Sequence, residues 1–122
     1  MAADTLREAL VQLSVSDDPA ANLPVTLDLV RQAAASGARL VCTPEVTNLL
    51  TGDPDYRAEV LCTEAEDPTL AALRALATET GIWLSIGSLA LRLEGEGRAA
   101  NRQFLVAPDG SIAARYDKIH MF

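Results

Sequence analysis

Between Arg7 and Ser88 the chain alternates three short apolar runs with two longer stretches of helical periodicity, and a glycine closes each helical stretch. That alternation restricts the fold more than any other feature, because an apolar strand that returns through a helix pairs in parallel with its predecessor. The first strand is expected over Arg7 to Val15, where Ala9, Val11 and Leu13 alternate with Glu8, Leu10 and Gln12. Leu10 breaks the polar face, which suggests cover on both sides. A helix follows to about Ser36, with Leu27, Val30 and Ala34 on one face and Gly37 behind it. Two starts are open to it, Asp18 before Pro19 or Asn22 before Pro24. A proline fits badly in a helix interior, which favours Asn22 as cap of the main part.

The second strand is expected at Arg39 to Thr43 and stops at Pro44-Glu45. Residues 46 to 67 read as an irregular excursion holding one short helix. Asp67-Pro68-Thr69 opens the next helix, whose face carries Leu70, Leu73 and Ala77 and which ends at Gly81. Ile82 to Ser88 is a third strand, extended by Leu89 to Leu93 into the turn at Glu94 to Gly97. Ala100 to Ala107 and Ile112 to Tyr116 then flank Pro108-Asp109-Gly110-Ser111, a strong hairpin signal. The expected class is α/β, with parallel strands and an antiparallel edge.

Charge and composition exclude several functions. A net charge of −7 over 122 residues repels nucleic-acid phosphates and anionic lipid surfaces, so neither is an expected partner. No apolar run approaches the roughly 18 residues of a membrane span. The first ten residues carry Asp4 and lack the basic-then-apolar pattern of a secretory signal. Cys42 and Cys62 stand far apart, outside any Cys-x-x-Cys or histidine cluster. This suggests a reducing, cytoplasmic setting and no metal. Gly95 and Gly97 form only a lone glycine pair inside a hairpin, which is too little for a phosphate loop. Lys118 and His120 are the single lysine and the single histidine, both within the last five residues. A lone lysine in an arginine-rich chain draws notice, because lysine offers a compact charge and a movable pKa.

Three stretches carry a family resemblance. They are Thr43-Pro44-Glu45-Val46-Thr47-Asn48 at a strand end, Gly87-Ser88 in a buried strand, and the block from Asn101 to Phe122 with its Pro-x-Gly hairpin and Tyr-Asp-Lys-Ile-His-Met-Phe ending. In this order and spacing they resemble the nitrilase superfamily of carbon–nitrogen hydrolases, most nearly its omega-amidase and deaminated-glutathione amidase branch. The resemblance implies part of an α-β-β-α sandwich, a mixed sheet with helices on its outer face. Residues 1–122 would be the N-terminal portion of one such domain, its C-terminal part absent. It also implies hydrolysis of a small amide to ammonia and a carboxylic acid by a glutamate, a lysine and a cysteine, without metal or organic cofactor. Glu45 matches the glutamate, the general base, and Lys118 matches the lysine that meets the tetrahedral intermediate. The cysteine would lie beyond the position of Phe122.

The chemistry accounts for these residue types. A thiol attacks a carbonyl well only once its proton is removed, and a partly desolvated carboxylate can be raised toward a working pKa for that task. A fixed ammonium can meet the oxyanion that develops. Asn48 and Asn101 are candidates for orienting site groups or binding substrate, with turn capping as the plain alternative. His120 reads as a structural, hydrogen-bonding histidine. Cys42 and Cys62 are poor substitutes for the nucleophile, and on a continuous strand Cys42 would face away from Glu45. The chain alone is therefore expected to be inactive and, with apolar strands uncovered, to form a homo-oligomer or aggregate. A different reading makes it a non-catalytic half-domain that pairs with another chain. A third, a regulatory domain with Asp17 and Asp18 as a metal pocket, fits poorly with the hairpin and the Tyr-x-Lys-x-His ending.

Overall fold

The computed structural model describes residues 4–95 and 97–119. The elements are β1 (Glu8–Leu10), α1 (Pro19–Ala35), β2 (Leu40–Thr43), α2 (Pro54–Val60), α3 (Pro68–Thr80), β3 (Trp83–Arg92), β4 (Ala99–Val106) and β5 (Ile112–Asp117). The five strands form one mixed sheet in chain order. β1, β2 and β3 run parallel, and β4 and β5 join antiparallel. The α/β class and the antiparallel edge are as expected from the sequence.

Local chemistry sets most boundaries. Asp67 caps α3 by accepting the Leu70 N–H at 2.8 Å, and Gly81 ends the helix with φ 69°, a left-handed conformation that glycine adopts freely. At α1 the structure takes the first of the two starts. Asp18 Oδ1 accepts the N–H groups of Ala20 and Ala21, and Pro24 lies within the helix. The expectation of Asn22 as cap fails because its carboxamide is used elsewhere, between Ser16 and the carbonyl of Asn48. β1 is also shorter than expected. Past the bond from Val11 N–H to the Cys42 carbonyl, β2 ends and offers no further partner.

Helices α1 and α3 cover one face of the sheet. Val30, Leu73, Leu76 and Ala77 meet Val41, Leu84, Ile86, Leu89, Leu91, Phe104 and Val106 in a continuous core. By register, the other face carries Leu10, Leu40, Cys42, Trp83, Ser85, Leu105 and Tyr116. Leu10 is 78% exposed, Tyr116 57% and Trp83 40%, so this second apolar face is open within the described residues. On the inner side Glu64 receives Arg102 and Arg115, and Arg102 also pairs with Asp117, which ties the excursion after α2 to the β4–β5 hairpin.

Candidate active site

β2 stops at Thr43 because Pro44 has no N–H to continue the ladder. Beyond that point the chain turns along the vacated edge of β3. The Ser88 N–H donates to the Pro44 carbonyl, the Ser88 hydroxyl accepts the Val46 N–H at 2.8 Å, and the Ser88 carbonyl accepts the Thr47 N–H at 2.9 Å. Val46 is held at φ 49°, a costly left-handed conformation for a β-branched residue. β3 can grip the turn because its register with β4 shifts between Ile86 and Leu89, at Gly87-Ser88. Gly87 is required for contact: a Cβ there would lie 2.4 Å from the Thr43 carbonyl oxygen and 2.5 Å from that of Pro44.

This turn delivers Glu45 to the end of the β4–β5 hairpin. Glu45 Oε1 accepts Lys118 Nζ at 2.7 Å and Asn101 Nδ2 at 2.7 Å. The backbone N–H of Lys118 donates to the Asn101 carbonyl at 2.9 Å. Glu45, Asn101 and Lys118 thus form one cluster from three separate stretches of sequence. Asn48 is not among them. Its carboxamide exchanges two bonds of 2.9 Å with the N–H and carbonyl of Ala90, standing in for the strand residue that β2 no longer supplies. It holds the loop that carries Glu45 and is buried within it. His120 lies outside the described residues.

Two electrostatic expectations need correction. The Glu45 carboxyl is not raised. Hydrogen bonds from Lys118 and Asn101 hold it below the usual glutamate range, and with a side chain 52% exposed it undergoes too little desolvation to offset them. Nor does the strand rule separate Cys42 from Glu45 by face. β2 ends between them, and Glu45 reaches Asn101, which by register shares the face of Cys42. The Cys42 thiol instead meets Glu8, and burial together with that carboxylate pushes its pKa up. Burial, then Asp67 and Glu66, do the same to Cys62. Neither thiol has the electropositive surroundings that favour a thiolate.

Asp18 is engaged as the α1 cap, and the described residues contain no group of three or more potential metal ligands. A groove of about 710 Å³ lies between the three helices, lined by residues such as Leu23, Leu27, Tyr56 and Leu61, and does not include Glu45, Asn101 or Lys118. Sequence reasoning noted Gly87-Ser88 but gave neither residue a role. The signal available was a glycine–serine pair interrupting an apolar strand, a common mark of a bulge or close backbone approach.

The described residues thus form a mixed α/β sheet with helices on one face and a carboxylate–ammonium pair at the end of the β4–β5 hairpin. The chain belongs to the carbon–nitrogen hydrolase family, whose model matches residues 7–122. It is 38% identical over 121 residues to mouse omega-amidase NIT2, covering 97% of this chain and 41% of that protein. It thus spans about two fifths of the length of the curated relatives it matches. Among solved structures it is similar to a mutant amidase of Nesterenkonia in complex with butyramide, at TM-score 0.79 and 29% identity, over 96% of this chain and 44% of that one. The fold is also shared with the Caenorhabditis elegans NitFhit protein, at TM-score 0.84 and 21% identity, over 93% of this chain and 27% of that one. These matches bear out the family resemblance and the nitrilase-like fold. No helix among the described residues is long and apolar enough to cross a membrane.

Proposed function

We propose that this chain supplies the general base and the electrostatic stabiliser of a hydrolase that converts a small amide to ammonia and a carboxylic acid. The observation that carries the reading is the 2.7 Å contact between Glu45 and Lys118, 73 residues apart in sequence. Glu45 takes the proton of an attacking thiol, and the thiolate adds to the amide carbon. The Lys118 ammonium meets the negative charge that develops on the carbonyl oxygen. Protonated Glu45 returns its proton to the amide nitrogen, so collapse of the tetrahedral intermediate expels ammonia and leaves a thioester. Glu45 then takes a proton from water, whose attack releases the acid and returns the thiol. The thiol belongs to a cysteine that the family resemblance puts after the position of Phe122. The depressed pKa of Glu45 keeps it ionised at neutral pH, ready to accept a proton. Approach of the nucleophile and substrate would desolvate it and raise its basicity. The same reading places the enzyme in the cytoplasm and assigns it no metal or organic cofactor.

The butyramide complex of the Nesterenkonia amidase and the omega-amidase name of the mouse relative support small amides as the substrate class. The test is the full-length protein on short aliphatic and ω-amide substrates. Glu45→Gln and Lys118→Ala should each remove turnover, seen as loss of kcat, while circular dichroism stays unchanged. Normal kcat in either variant would refute its role. The open face bearing Leu10, Trp83 and Tyr116 favours a second reading, a non-catalytic half-domain that pairs with another chain. A stop codon directly after Phe122 would support that reading, and a downstream cysteine in frame would support the enzyme.

A further inference from the structure

Asn101 acts on both members of the proposed pair, and through different atoms. Its carbonyl accepts the Lys118 N–H at 2.9 Å, which fixes the backbone from which the lysine side chain leaves. Its Nδ2 donates to Glu45 Oε1 at 2.7 Å, the oxygen that also receives Lys118 Nζ. Oε2 of Glu45 is left outside both bonds. Asn101 Oδ1 is buried and, among the described residues, accepts no hydrogen bond. Turning the carboxamide over would set Oδ1 against the carboxylate, oxygen to oxygen. Its orientation therefore follows from the charge on Glu45 and not from a partner for Oδ1.

We propose that Asn101 is a positioning residue that locks the Glu45 carboxylate so that Oε2 is its proton-accepting oxygen, at a fixed distance from the Lys118 ammonium. The inference rests on Glu45 being the base. A carboxylate held by Lys118 alone could pivot about one contact with a long, flexible side chain. A second donor on the same oxygen, from a short side chain on a paired strand, removes that freedom. It also steers the incoming proton to the other oxygen. Asn101→Ala would leave the Lys118 backbone bond in place and remove only the side-chain donor. Asn101→Asp would keep the size and set a second carboxylate beside the first.

The experiment uses full-length protein carrying carboxyl-¹³C glutamate, with the Glu45 signal assigned by its loss in Glu45→Gln. Asn101→Ala should shift the Glu45 titration to higher pH, and Asn101→Asp should shift it further. The acid limb of kcat/KM should move with it, and kcat should fall on the order of 10–100-fold with KM little changed, as for a misplaced reacting group. In the wild type, the Asn101 side-chain amide protons should move upfield as Glu45 is protonated, a readout that needs no variant to fold. An unchanged Glu45 titration in Asn101→Ala, or Asn101 amide protons indifferent to Glu45 protonation, would overturn the proposal. If those signals respond but the wild type hydrolyses no amide, the positioning stands and the amidase reading fails.

Discussion

Gly87→Ala sets a methyl group where the backbone of Thr43 and Pro44 already stands. The new Cβ would lie 2.4 Å from the Thr43 carbonyl oxygen, against 3.4 Å for the near limit of ordinary contact, so the backbone must give by up to about 1 Å. The obstacle is backbone on both sides and cannot rotate away. Overpacking of this kind costs typically about 1–3 kcal/mol. With a urea dependence of ~1–3 kcal/mol per molar, the unfolding midpoint should fall by about 1 M. The displaced segment carries Glu45, and a shift of about 1 Å at a reacting group can cost on the order of 100-fold in rate. Gly81→Ala is the control. Its Cβ meets nothing within 4 Å, and its cost is the left-handed φ of 69° alone, about 1–2 kcal/mol. Urea unfolding followed by Trp83 fluorescence, alongside turnover of the full-length protein, separates the two. A Gly87→Ala midpoint at or above that of Gly81→Ala would refute the reasoning.

Asn48→Ala should leave the buried N–H and carbonyl of Ala90 without their side-chain partners, lowering stability by about 2–4 kcal/mol, measurable as a drop in Tm. Glu64, Asp117 and Glu45 are all held below their ordinary pKa by cationic partners, first among them Arg115, Arg102 and Lys118 respectively. Their stabilisation is present above the unfolded carboxylate range near pH 4 and is lost as pH falls through the lower folded values. Glu64→Gln should flatten that acid loss in urea midpoints taken from pH 6 downward, and an unaltered slope would contradict it. The 122-residue chain purified alone should scatter light and bind an apolar dye at micromolar concentration, and Leu10→Lys with Trp83→Lys should reduce both. It should also lack amidase activity. A sharp monomer without dye binding, or activity abolished by mutating Cys42 or Cys62, would count against this account.

Short-range chemistry was legible in the residues themselves. The limits of α3 follow from Asp67 and Gly81, and the hairpin follows from Pro108 to Ser111, where the Gly110 N–H closes on the Ala107 carbonyl at 2.8 Å. Apolar periodicity was enough for the order of strands and helices, since each period of 2 or 3.6 residues is a local property. Glu45 and Lys118 could be picked out through the stretches around them. What the tertiary structure alone decided was the use of each polar group. Asn48 and Asn101 looked equivalent as candidates, yet one replaces a missing strand residue at Ala90 and the other reaches Glu45. Asn22 looked like a cap and became a brace between Ser16 and Asn48. Glu45 looked fit for a raised pKa and has a lowered one, because its exposure and its two donors were invisible in the sequence. A cap or a turn is satisfied within a few residues, so sequence can specify it. The partners of a side chain 42, 56 or 73 residues away depend on strand register and on where each strand stops, and these are fixed only when the whole sheet has assembled.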